Sequence, residues 1–144
     1  MSSRPTTTLA AIVLFSIVTV EFGGWSLLGT LTSQDRLTEF EEQFFRAGHA
    51  HAGVLLILAL AYLLLMDRTR FQDRTRWGLG VALLVGILLQ SGGFFVHMLM
   101  GEEGAASTGT WLTRSGALLL AVALISLGVG LLRARTEEVQ TARL

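Results

Sequence analysis

Long apolar blocks separated by short polar runs dominate this chain. They cover residues 9–31, 46–66, 77–100 and 111–132. Each is close to the ~20 residues needed to cross a ~30 Å hydrocarbon core at ~1.5 Å per residue. The connections are short, so consecutive helices must run antiparallel beside one another. The pattern predicts an all-α fold: a single domain over residues 1–144, built as a four-helix transmembrane bundle. The third block is interrupted by Gln90, Ser91, Gly92 and Gly93. Ala82/Gly86 and Ser126/Gly130 are small-xxx-small pairs of the kind that lets helices approach closely in lipid. Between the first two blocks, Leu37, Phe40, Phe44 and Phe45 recur at helical spacing, which suggests a short amphipathic interfacial helix within residues 32–45.

Composition supports the membrane reading. The chain is 51% hydrophobic and 15% charged, against about 25% charge in a soluble domain. Cysteine is absent, which excludes disulfides, iron–sulfur clusters and thiolate metal sites. The formal net charge is zero and no zinc-finger, P-loop or dinucleotide-binding pattern occurs, so nucleic acid is not expected as a partner. The first block begins near Arg4 as a signal peptide would, but Glu21 and Trp25 lie within it and no convincing cleavage site follows. It reads as a retained helix.

All eleven basic residues are arginines, and their placement predicts orientation. Arg68, Arg70, Arg74 and Arg76 crowd the second connection, and Arg133, Arg135 and Arg143 the C-terminal tail. The first connection instead carries Asp35, Glu39, Glu41 and Glu42, and the third Glu102 and Glu103. Cytoplasmic segments carry the arginine excess, so both termini are expected in the cytoplasm and the acidic loops outside, as in a multi-pass protein of a bacterial inner membrane. Trp77 and Trp111 fall at opposite interfaces.

This orientation places all three histidines, His49, His51 and His97, in the outer leaflet. Ionisable groups at membrane depth are costly and serve as default functional candidates, and neutral imidazole is a common ligand of metals and haem iron. At ~100° per residue, His49 and His51 point ~200° apart, so they cannot chelate one ion on an intact helix and must serve different sites or different neighbours. Gly53 lies one turn after His49 and Gly93 one turn before His97; missing side chains there would leave room for a flat macrocycle. Arg46 and Arg114, at the outer ends of the second and fourth spans, either snorkel or hold carboxylates such as haem propionates. Glu21 and Gln90 sit roughly 15 Å deeper. Glu21 is either half of a structural pair, with an arginine or Gln90, or a carboxylate that relays protons to or tunes a cofactor. Met98 and Met100 flank the top of the third span near His97 and offer soft ligands for copper(I), though packing is their usual role.

The stretch Ala47-Gly48-His49-Ala50-His51-Ala52-Gly53-Val54-Leu55 resembles the His-x-His helix of the haem–copper oxidase superfamily's catalytic subunit, nitric oxide reductases included. It is similar as well to small four-helix bacterial relatives of that superfamily. In the large subunits, three four-helix arcs surround a pseudo-threefold axis and the histidine pair serves two haems. The resemblance implies a homotrimer of twelve helices, with His49 facing one intersubunit space and His51 the next. Only His97 is left for a copper site, the single tyrosine is Tyr62 toward the cytoplasmic end, and Pro5 is the single proline. The implied activity is therefore bis-histidine haem b binding for electron transfer or for redox or gas sensing, oxidoreductase-like if enzymatic at all, with a redox protein or quinol as partner. The alternatives are a copper protein using His49, His51, His97 and the methionines, and a cofactor-free accessory subunit of a respiratory complex.

Overall fold

A computed structural model describes residues 3–33 and 37–141, the side chains of Leu31 and of residues 137–141 apart. Asp35 of the first connection and Arg143 of the tail lie outside the described residues. Among the described residues the chain forms four helices: α1 (Arg4–Thr32), α2 (Glu39–Met66), α3 (Asp73–Met100) and α4 (Thr108–Thr141). Each is long and apolar enough to span a bilayer, so the protein has the architecture of a multi-pass membrane protein in contact with lipid.

Local chemistry sets the helix ends. Ser3 caps α1 by accepting from the Thr6 amide, with Pro5 in the first turn, where its missing N–H costs nothing. Thr38 and Glu41 form a reciprocal capping box at the start of α2, and Glu39, Glu41 and Glu42 in that turn complement the helix dipole. This box removes the separate interfacial helix expected before residue 46. From Glu39 onward that segment is the first two turns of α2, and its aromatic rings pack on α3: Phe44 lies 6.3 Å from Phe94, and Phe45 meets Phe95 edge-on at 5.3 Å. Nor is α3 interrupted, since it runs as continuous α-helix through Gln90 to Gly93.

The reason is the α3–α4 pair, the most intimate in the bundle. Gly86 and Gly93 of α3 face Gly116 and Gly109 of α4. A Cβ on Gly93 would come within 2.6 Å of the Gly109 carbonyl oxygen, and one on Gly116 within 2.6 Å of the Gly86 carbonyl. The seam thus repeats every seven residues, not every four as in the small-residue pairs noted in the sequence. Of those, only Gly86 lies in it. Gly130 instead admits the ring of Phe71 from the α2–α3 connection. The second helix lies along α3, while α1 packs on α2 with a lesser contact to α3.

The buried core sits toward the end bearing the α2–α3 connection. It joins Leu9 and Val13 of α1, Leu56 to Met66 of α2, Leu83 and Ile87 of α3, and Leu120 to Leu127 of α4. Tyr62 crosses it, donating its hydroxyl to the Ala123 carbonyl at 3.1 Å. The same end is closed by a polar clamp. The Arg76 guanidinium donates to Asp67 Oδ1 at 3.0 Å and to the carbonyls of Phe71 at 2.8 Å and Thr69 at 3.1 Å. The Thr6 hydroxyl lies 3.0 Å from both Asp67 oxygens, which ties α1 to the connection. Arg76→Ala is expected to lower stability by about 2–4 kcal/mol, because it removes the cation from a half-buried carboxylate that keeps only neutral hydrogen bonds such as that of Thr6, and leaves two carbonyls without their guanidinium donor. Arg76→Lys should recover only part, lacking the planar fork. Thermal unfolding in detergent measures both, and an unchanged midpoint for Arg76→Ala would discard the clamp.

Candidate cofactor site

The three histidines occupy the opposite end of the bundle, where the aliphatic core thins and aromatic rings replace it. His51 is half-buried, and its Nδ1 lies 2.8 Å from the Ala47 carbonyl one turn earlier. A carbonyl only accepts, so Nδ1 carries the hydrogen, and in the neutral ring the lone pair is then on Nε2. This is the tautomer that an oriented imidazole ligand requires, with the backbone acting as its anchor. The ring lies 4.7 Å from that of Phe94 on α3.

His49 turns the other way, as the spacing demanded, and its ring fills a notch in α1. A Cβ on Gly24 would come within 3.1 Å of His49 Nε2, and one on Gly23 within 3.6 Å of Nδ1. The Gly23-Gly24 pair is therefore a receptor for this imidazole. The sequence carried the signal, two glycines in an apolar span at the depth of a histidine, but only the packing of α1 on α2 gives it meaning.

His97 is buried at 8% exposure. Its Nδ1 shares a 2.6 Å hydrogen bond with Ser107 Oγ, which also accepts from the Gly109 amide at 3.1 Å. Phe44 and Phe40 flank the ring at 4.4 and 5.6 Å. Continuous ring contacts therefore run from His97 through Phe44 and Phe94 to His51. Ser107, which ends the α3–α4 connection, was not singled out in the sequence. Nothing about one serine in a short loop distinguishes it before the fold brings it to His97.

Beside this row lies a cavity of about 520 Å³ lined by Phe44, Phe94, His97, Thr110, Thr113 and Arg114. The volume is within the ~300–1,000 Å³ range of small-molecule sites. Arg114 is exposed, with its guanidinium 5.1 Å above the Trp111 ring. Arg46 is not part of this arrangement: it pairs with Glu42 one turn earlier on α2 and is mostly exposed.

The expected spaces at the glycines also differ. A Cβ on Gly53 would meet only Val20, at 3.9 Å, so ordinary packing with α1 lies there. The backbone of α4 fills the space in the Cβ direction of Gly93, while Gly93 also lines the cavity of about 520 Å³. Glu21 is exposed on α1, next to Phe22 and Trp25, and makes no hydrogen bond or ion pair among the described residues. Gln90 belongs instead to the α3–α4 seam, where its carbonyl accepts from Thr113 at 3.3 Å. Neither structural partner foreseen for Glu21 is supplied by the described part of the chain. Met98 is half-buried and Met100 exposed at 76%. Among the described residues, no three His, Asp or Glu side chains are grouped to hold one metal ion. The chain matches no protein-family model, no curated protein and no solved structure.

Proposed function

We propose that the protein binds haem b within the bilayer through His51 and serves electron transfer or redox or gas sensing. The observation that supports this most is His51 itself. Its Nδ1–H is held by the Ala47 carbonyl, its lone pair is on Nε2, and an aromatic wall stands beside it. His49, which makes no hydrogen bond among the described residues, would supply the second ligand to a neighbouring subunit's haem by swinging out of the Gly23-Gly24 notch of its own α1. Bound haem supplies a one-electron couple; the chain's part is to orient the imidazoles, exclude water with Phe44 and Phe94, and offer Arg114 to a carboxylate.

Two features favour a homotrimer of twelve helices. The paired histidines diverge, so one chain cannot place both on one iron. Glu21 stands on the outward face of α1 at membrane depth, where lipid contact is expensive and a neighbouring subunit would supply cover. The orientation follows the arginine excess: both termini and the α2–α3 connection in the cytoplasm of a bacterial cell, histidines toward the outer face. Reporter fusions within residues 67–76 should read cytoplasmic and fusions beside Glu102 extracytoplasmic; the reverse would put the histidines at the inner face.

A visible spectrum of protein purified from haem-replete cells tests the cofactor. A Soret band at one haem or more per trimer is expected. A colourless protein with stoichiometric copper would assign the histidines and methionines to copper. A protein lacking both would be an accessory subunit.

A further inference from the structure

A second cavity, of about 280 Å³, lies between α1, α2 and α3, one turn nearer the bundle centre than His49. Val20 and Ala52, each about one turn from the His49 contact, belong to its wall, with Leu84, Leu88 and Phe95. Phe95 is a rigid part of that wall: a Cβ on Gly48 behind it would come within 2.8 Å of its ring, and Phe45 holds it edge-on at 5.3 Å. Ser91 also lines the cavity. It is 5% exposed, and its Oγ is the one buried side-chain oxygen or nitrogen without a hydrogen-bond partner among the described residues. Buried hydroxyls are normally paired, and leaving one unpaired costs about 1–3 kcal/mol. Ser91 is therefore a buried open valence on a residue of the cavity wall, and rotation about its χ1 is what would turn the hydroxyl toward the cavity.

Two further hydroxyls on the wall define what fits. Ser16 already donates to the Ile12 carbonyl at 2.9 Å and Thr19 to the Ser16 carbonyl at 2.7 Å, so both oxygens can only accept. A carbonyl ligand could accept from Ser91 but would bring no hydrogen for Ser16 or Thr19. A hydroxyl does both, accepting from one wall and donating to the other. The remaining surface is apolar and partly aromatic, and the volume suits one ring, being at the small end of ligand pockets. We propose that this cavity is a binding site for a lipid-soluble phenol, its ring beside Phe95 and its hydroxyl bridging Ser91 and the Ser16/Thr19 oxygens. The site stands whether or not the histidines bind haem.

A photoreactive alkylphenol, applied to the full chain in lipid nanodiscs and mapped by mass spectrometry, tests it. Labelling should concentrate on Val20, Ala52, Leu84 and Leu88. Unlabelled para-propylphenol should displace the probe roughly fivefold better than its methyl ether, the value of about one net hydrogen bond. Ser91→Ala should abolish most of that difference while leaving the fold intact. Gly92→Leu, whose Cβ would enter open space on the cavity wall, should suppress labelling by about tenfold. Equal displacement by phenol and ether would overturn the proposal in favour of water or an acyl chain. So would labelling spread over lipid-facing positions such as Phe15 and Leu64, or a Ser91→Ala protein that still prefers the phenol.

Discussion

His51→Ala is expected to eliminate the Soret band of the purified protein, with haem affinity reduced at least ~100-fold. Loss of a mere outer-shell partner typically costs ~10–100-fold, and loss of an iron ligand must exceed it. His49→Ala should have an effect of the same order, because the proposed haem takes one imidazole from each of two subunits. Co-expressing the two variants should restore part of the signal, since a mixed trimer retains interfaces with both rings. His97 offers the contrast. Its Nδ1 is engaged by Ser107 and its ring is clasped by Phe40 and Phe44, so His97→Phe should keep the haem and loosen the α3–α4 connection. Full haem retention in both His49→Ala and His51→Ala would end the proposed ligation.

Gly116→Leu should be the most damaging single substitution for the bundle itself. At this position α4 touches the backbone of α3, near the Gln90 amide and Gly86 carbonyl, and backbone cannot yield as a side chain can. The helices would have to separate along the whole seam, at a cost of about 3 kcal/mol or more. Separation would also disturb the cavity shared by His97 and Arg114. Gly128→Leu on the same helix is the control, because a Cβ there meets nothing within 4 Å; it should be neutral or mildly stabilising through better helix propensity. Thermal unfolding in detergent compares the two. Equal midpoints would refute the seam.

The number of membrane-length helices was legible, since a run of apolar side chains long enough to cross a bilayer has one economical solution. Their margins were less so. Helix α2 begins at Glu39, seven residues before the second apolar block, because the Thr38–Glu41 box and the packing of Phe44 and Phe45 on α3 stabilise a polar, aromatic extension that hydrophobicity alone reads as loop. The glycines of α3 read as an interruption when the chain is considered alone. Against α4, Gly93 is one of its closest contacts, while Gly92 faces open space.

The sequence by itself determined how many membrane-length helices form, that cysteine chemistry is absent, and that His49 and His51 diverge. The last follows from the helical repeat, which no packing arrangement alters. Only the tertiary structure decided how each helix is rotated about its own axis. That rotation set His49 against Gly23-Gly24, turned Glu21 outward away from Gln90, paired Arg46 with Glu42 and set Arg114 over Trp111, packed Gly93 on α4, and left the Ser91 hydroxyl buried without a partner among the described residues. The physical reason lies in the solvent. In water, an amphipathic stripe tells which face of a helix is buried. In a bilayer, lipid tails are as apolar as the protein interior, so both faces carry the same residues and helix rotation is decided by small-residue contacts and hydrogen bonds that exist only after the helices meet.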